Sequence, residues 1–172
     1  MRLLSVMFAF VVASASVTVP AAAQARKAVA PPAVNPAPPA RKTADPVRVV
    51  DIVATDDMKY SLTTITARRG ETLKIRLMAR GVIPKIAMAH NVVVLKIGTD
   101  ILTLLKDGAP HRGTDFIPPG MKDAVIAKTP FAGAGETVQV MFTVPAKPGA
   151  YPVICTFAGH YQAGMKATLI VK

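Results

Sequence analysis

The residues best suited to chemistry lie in the last quarter of the chain. The only cysteine, Cys155, is followed by His160 and Met165 within eleven residues. A thiolate, an imidazole and a thioether are all donors that transition metals accept. A second imidazole, that of His90, lies upstream at the start of an apolar run. The spacing therefore predicts a metal site to which one C-terminal loop supplies most of the ligands.

Two imidazoles, one thiolate and a weak axial thioether form the ligand set of a mononuclear blue-copper site. Such a set serves both Cu(I) and Cu(II), so little has to move when an electron moves. Gly159 and Gly164 relax the backbone just before the loop imidazole and thioether, where the loop has to turn tightly. We predict one copper ion per chain, with the ligands His90, Cys155, His160 and Met165.

Other cysteine and histidine chemistry fits this chain less well. A papain-like nucleophile needs a base oriented by a third polar group, and the thioether would then have no role. A structural zinc site usually has more thiolates. The sequence has no Cys-x-x-Cys pair, no second cysteine for a binuclear copper centre and no His-x-His segment of the kind found in multicopper oxidases.

The first 25 residues are typical of a secretory signal peptide. Arg2 provides the positive start, Leu3 to Ala13 form the apolar core, and Ala23-Gln24-Ala25 is a small-residue cleavage site. The apolar stretch is shorter than the ~20 residues that a membrane span requires. We therefore expect cleavage after Ala25, no stable membrane insertion afterwards, and a periplasmic protein.

Residues 26–46 are predicted to be a linker, because six Pro and six Ala fill this segment without apolar periodicity. Residues 47–172 then form one domain, long enough to have a core of its own.

The net charge of the chain is +11. Export and scattered basic residues without interleaved aromatic residues argue against a nucleic-acid partner. An acidic redox partner is the more specific expectation, and we expect a monomer.

Short apolar or alternating segments separated by turn residues predict an all-β Greek-key sandwich of about eight strands. A helical flap is expected within residues 98–122, with a helix over Asp100–Lys106 that Thr99 or Asp100 caps and Gly108 ends. The predicted strands are Val47–Ala54, Met58–Thr66, Thr72–Ala79, Asn91–Lys96, Asp123–Lys128, Glu136–Val144, Ala150–Thr156 and Met165–Lys172.

Several segments resemble those of the cupredoxins, and of azurins most of all. They are Asp57-Met58-Lys59-Tyr60, Met88-Ala89-His90-Asn91, the run from Cys155 to His160, and the ending from Met165 to Lys172. The resemblance implies that His90, Cys155 and His160 are equatorial ligands, that Met165 is axial, and that the carbonyl of Ala89 lies opposite Met165. Four residues separate His160 from Met165, as in auracyanin and rusticyanin, whereas azurins usually have three.

Residues beside the ligands are expected to support the site. Asn91 can form hydrogen bonds to the backbone of Cys155 and Thr156, and so join the ligand loop to the neighbouring strand. Phe157 is expected next to the site. The resemblance further implies an apolar docking patch around the edge of His160, formed by Met58, Ile83, Met88, Ala158, Tyr161 and Ala163.

The sequence therefore predicts an exported one-electron carrier and not an enzyme, because no acid–base pair or substrate pocket is evident. Its partners are expected to be redox proteins, either acidic or cytochrome-like. The alternative is a periplasmic copper-binding protein for delivery, storage or tolerance. Such a protein needs an open site and usually has Met and His clusters in flexible segments, and residues 26–46 contain neither residue type.

Overall fold

The structure is a computed structural model that describes residues 46–172. The predicted signal peptide and residues 26–45 of the predicted linker lie outside the described residues. Within the described part of the chain, no helix is both long and apolar enough to cross a membrane.

The described residues form nine strands, one α-helix and two short 3₁₀ helices. The strands are β1 Arg48–Thr55, β2 Lys59–Tyr60, β3 Thr64–Ala67, β4 Thr72–Arg80, β5 Val93–Leu95, β6 Val125–Lys128, β7 Thr137–Thr143, β8 Gly149–Ile154 and β9 Lys166–Val171. The α-helix is α1 Ile101–Gly108, and the 3₁₀ helices are Arg112–Thr114 and Pro119–Ala124.

Two mixed sheets pack face to face. The first has the order β2-β1-β4-β7 and the second β3-β9-β8-β5-β6. The pairs β1–β4 and β3–β9 are parallel, and the other pairs are antiparallel. The predicted Greek-key β-sandwich with a helical insertion is confirmed.

The core lies between the sheets, and alternation along the strands fills it. Leu73, Ile75 and Leu77 of β4 are fully buried, and they belong to one cluster with Leu169 of β9. Burial of one such side chain stabilises the fold by roughly 1.5–3 kcal/mol. The alternation in the sequence thus determines which face of each strand points inwards.

The prediction of one continuous strand over Met58–Thr66 is wrong, and the difference affects the surroundings of the site. The segment is two strands in different sheets: β2 pairs with β1, and β3 pairs with β9. Between them the backbone changes partners, because the N–H of Ser61 donates to Val53 O whereas Thr63 O accepts from the N–H of Thr168. This crossing leaves Tyr60 buried between the sheets.

Two other strand ends also differ from the prediction. The segment before Val125 is a 3₁₀ helix rather than part of β6, and Pro119, in its first turn, favours that helical start. Strand β8 ends at Ile154, so Cys155 is the first residue after the strand rather than within it.

The flap covers the second sheet near the ligand loop. Asp100 caps helix α1 by accepting a hydrogen bond from the N–H of Thr103 at 3.1 Å. Leu104 of the helix packs against β5 in a second apolar cluster. Gly108 ends the helix, and a Cβ there would lie 2.0 Å from Phe116 O, so the close return of the chain requires glycine.

Candidate metal centre

Backbone hydrogen bonds close the C-terminal loop on itself. The N–H of Cys155 donates to Met165 O at 3.3 Å, and the N–H of Met165 donates to His160 O at 2.9 Å. Gly159 and Gly164 have φ values of +83° and +98°, a region in which a side chain is strained. The loop therefore leaves β8 at Cys155 and enters β9 after Met165 with its ends held together.

His90 reaches the same place from another part of the chain. Its N–H donates to Ala132 O at 2.9 Å, and its carbonyl accepts from the N–H of Ala132 at 2.8 Å. This pair of bonds fixes the backbone of His90 independently of the C-terminal loop. The fully buried strand β5 follows directly and anchors the segment in the second sheet.

Three side chains converge at this end of the sandwich. The ligand atoms of His90, Cys155 and His160 all lie within 4.8 Å of one another. The three residues are 2%, 0% and 2% exposed, and the two imidazole centroids are 5.0 Å apart. One sulfur and two imidazole nitrogens in a closed, buried group match the equatorial ligands of a blue-copper site.

One buried nitrogen tests whether the residues fit a metal. Nδ1 of His90 is the only buried side-chain nitrogen or oxygen without a hydrogen-bond partner among residues 46–172. Nδ1 of His160 lies 3.5 Å from Sγ of Cys155. An unpaired polar atom in a protein interior is costly, and a metal bound between the three side chains would satisfy it. The donor set and the unpartnered nitrogen therefore fit a copper ion.

The environment keeps both imidazoles neutral. Burial lowers the pKa of His90, partly opposed by the charge of Asp56. Burial and repulsion from His90 lower the pKa of His160 to about 4. At neutral pH both rings therefore offer lone pairs to a metal.

The pKa of the Cys155 thiol is raised, whereas the pKa values of the two imidazoles are lowered. Burial raises its pKa to about 11, against backbone hydrogen bonds from Asn91 and Phe157 that lower it. Without a metal the group is a thiol, and metal binding releases its proton. The same two backbone N–H groups would donate to the thiolate that metal binding leaves.

Asn91 joins the two ligand segments. Its Nδ2 donates to Thr156 Oγ1 at 2.9 Å, and the N–H of Thr156 donates to its Oδ1 at 3.0 Å. Thr156 Oγ1 donates in turn to Asp115 O at 2.7 Å, which ties the flap to the ligand loop. Asn91 and Thr156 are 0% and 2% exposed, so these bonds form away from solvent.

The remaining predicted residues of the site also lie at this end. Met165 is fully buried directly after the ligand loop, and Ala89 is 3% exposed next to His90. Met88, by contrast, is only half-buried. His111, which the sequence did not assign as a ligand, precedes the first 3₁₀ helix and is not part of the group of three.

An aromatic cluster that the sequence did not predict lies beside the site. Phe116, Phe131 and Phe157 meet edge to face, with centroids 5.8–5.9 Å apart. The ring of Phe157 is 4.7 Å from that of His160. Only Phe157 could have been connected to the site from the sequence, because the other two are distant from every ligand along the chain.

The residues of the predicted docking patch are only partly accessible. Ala158 is exposed, whereas the others are half-buried: Met58, Ile83, Met88, Tyr161 and Ala163. Tyr161 packs against the flap cluster, and Nζ of Lys166 lies 5.2 Å from its ring. Val82 and Ile86, which the sequence analysis did not include in the patch, are 90% and 72% exposed on the segment before His90.

Comparisons with known proteins agree with the geometry. Residues 47–172 match the family model of copper binding proteins of the plastocyanin/azurin family. Azurin from Pseudomonas chlororaphis is 33% identical over 127 residues, which cover 72% of this chain and 97% of that protein. Auracyanin-B from Chloroflexus aurantiacus is 32% identical over 128 residues, which cover 73% of this chain and 53% of that protein.

A solved structure is similar as well. Auracyanin A, a "blue" copper protein from Chloroflexus aurantiacus, superposes with a TM-score of 0.66 at 28% identity, covering 74% of this chain and all of that chain. The fold and the site together define a cupredoxin. The chain belongs to the plastocyanin/azurin family, and its cofactor is copper.

Proposed function

We propose that this protein is an exported one-electron carrier with a type 1 copper site. The observation that carries the proposal is the buried group of His90, Cys155 and His160, in which one imidazole nitrogen has no hydrogen-bond partner among residues 46–172. A bound copper ion would supply one-electron redox chemistry between Cu(I) and Cu(II). The protein holds the ligands and excludes water.

His90, Cys155 and His160 would hold the copper ion, and Met165 would supply a thioether as a fourth, weaker ligand. Met165 is fully buried, and its N–H is bonded to His160 O. Backbone hydrogen bonds hold both ligand segments, which supports a site that changes little between redox states. The same burial supports a carrier over a delivery protein, since copper exchange requires open access to the ligands.

Electrons are proposed to pass through the edge of His160, which is 2% exposed and directly follows the exposed residues Ala158 and Gly159. Ala158 is exposed there, and Val82 and Ile86 add apolar surface on the loop that precedes His90. Small apolar patches are typical of transient redox encounters. The docking patch then comprises the six predicted residues together with Val82 and Ile86.

The charge around this patch supports an acidic or cytochrome-like redox partner. Lys59 donates a hydrogen bond to Ala163 O on the ligand loop, and Lys166 lies against the ring of Tyr161. Both lysines are exposed, and the chain as a whole carries a net charge of +11. Complementary charge increases the rate of encounter more than it increases affinity.

Export is proposed from residues 1–25, which have the pattern of a cleaved signal peptide. Residues 26–46 would then be a linker before the copper domain. The proposed location is the periplasm, and the proposed oligomeric state is a monomer.

The test is a Cu(II) titration of the full chain followed by visible and EPR spectroscopy. An intense thiolate-to-copper band with narrow copper hyperfine splitting is expected at one copper per chain. Cys155→Ser should abolish the band while the domain stays folded. His111→Ala is the matched control and should keep it. A wild-type chain without the band, or a Cys155→Ser variant that retains it, would overturn the proposal.

A further inference from the structure

A tyrosine hydroxyl lies in the core beside the copper ligands. Tyr60, in β2 of the first sheet, is 7% exposed, and its hydroxyl donates to Asn91 O at 2.5 Å. Cys155 follows β8 of the second sheet. The bond therefore crosses the sandwich to the site. Phenylalanine would fill the same space without a buried polar group, so packing alone does not account for the hydroxyl.

Asn91 is held at each of its polar groups. Its side chain has two bonds with Thr156, and its carbonyl accepts the bond from Tyr60. Its backbone N–H interacts with the thiol of Cys155 and lowers the pKa of that group. The partners on the side chain and on the N–H all belong to the C-terminal ligand segment. The bond from Tyr60 is the one that reaches Asn91 from the opposite sheet.

We propose that Tyr60 is a positioning residue that sets the reduction potential by holding Asn91 with its N–H aimed at the thiolate of Cys155. The inference rests on the proposed function, in which that thiolate binds copper. An N–H donor withdraws electron density from the sulfur and favours the reduced, less positive copper. Removal of the phenol hydroxyl frees the Asn91 carbonyl, weakens the N–H to sulfur bond and lowers the potential.

The chain offers a matched control in Tyr151. It is 4% exposed, and its hydroxyl donates to Lys147 O at 2.7 Å. Tyr60→Phe and Tyr151→Phe therefore remove the same atom from the same kind of bond. Lys147 precedes β8, whose other end leads to Cys155, so the control bond lies at the far end of that strand from the site.

The experiment compares wild type, Tyr60→Phe and Tyr151→Phe as full chains. Protein-film voltammetry gives the potential, EPR gives the copper hyperfine splitting, and amide exchange of the copper-free protein gives the protection of the Asn91 N–H. Tyr60→Phe should lower the potential, shift the thiolate band and speed Asn91 exchange roughly 2- to 10-fold, as expected for one lost hydrogen bond. Tyr151→Phe should change stability only.

The outcomes distinguish failure of the positioning role from failure of the proposed function. If Tyr60→Phe has the wild-type potential and spectrum, the positioning role is refuted and the blue-copper proposal stands. If the wild-type chain has no thiolate-to-copper band, the proposed function fails and the potential-setting role fails with it. Unchanged exchange of Asn91 in the copper-free Tyr60→Phe variant would refute the holding contact itself, whatever the metal does.

Discussion

Replacement of Asn91 by alanine should show how strongly the two ligand segments are joined. The amide is fully buried and makes two hydrogen bonds with Thr156, at 2.9 and 3.0 Å. Asn91→Ala removes both bonds and leaves the buried N–H of Thr156 without an acceptor. The ligand loop then loses its main side-chain connection to the segment that carries His90.

The expected loss of stability follows from these contacts. Each lost hydrogen bond contributes about 1 kcal/mol, and a stranded buried N–H adds about 1 kcal/mol or more. The free energy of unfolding should therefore fall by about 3 kcal/mol. For a domain of this size, that corresponds to a drop in Tm of about 10 °C.

Urea unfolding of the copper-free protein is the appropriate assay, because bound metal would add its own binding free energy to the folded state. A double-mutant cycle with Thr156→Val isolates the bond from Asn91 Nδ2 to Thr156 Oγ1, and a coupling energy of about 1 kcal/mol is expected. Thr114→Val is the matched control: its hydroxyl donates to Ile117 O within the flap. It should lower stability by about 1 kcal/mol and leave the copper spectrum unchanged.

The reasoning is refuted if Asn91→Ala unfolds within about 0.5 kcal/mol of wild type, the range usual for surface changes that remove no buried contact. A large loss of stability without any coupling to Thr156→Val would contradict the part assigned to the bond from Asn91 Nδ2 to Thr156 Oγ1. The loss would then come from the bond between the N–H of Thr156 and Asn91 Oδ1, which Thr156→Val keeps, and from the volume of the side chain.

Two further predictions concern the axial ligand and the docking patch. Met165→Leu should keep copper but raise the reduction potential, because loss of a thioether donor favours Cu(I) over Cu(II). Met88→Leu is the control and should leave the potential unchanged. Voltammetry measures both potentials, and an unchanged potential in Met165→Leu would mean that Met165 is not axial. Ala158→Glu should slow electron exchange with an acidic redox protein without altering the spectrum, and Ala146→Glu, exposed before β8, should not. Stopped-flow mixing measures both rates, and equal rates would place docking elsewhere.

The parts of the fold that follow from the sequence depend on contacts between near neighbours along the chain. Alternation in β4 identified Leu73, Ile75 and Leu77 as core, and Asp100 marked the start of helix α1. The C-terminal loop is of the same kind: its donors and glycines lie within eleven residues, so spacing alone exposes the pattern.

The parts that the sequence did not reveal depend on partners that are far apart. The segment Met58–Thr66 appears continuous because its apolar pattern continues across Ser61, and only the competing partners Val53 and Thr168 divide it. The same crossing buries Tyr60 next to Asn91, 31 positions away. No local pattern distinguishes such a tyrosine from an ordinary core residue.

These contacts together explain why the geometry of the ligands should not depend on the metal. The ends of the loop are closed by the bond from Cys155 to Met165 O, and His90 is fixed by its pair of bonds with Ala132. Asn91 connects the two segments, and none of these bonds uses a ligand atom. A site shaped by its backbone in this way has little to rearrange when copper gains or loses an electron. In the proposed carrier, fast and reversible electron transfer would therefore depend on how the two segments are anchored as well as on the choice of ligands.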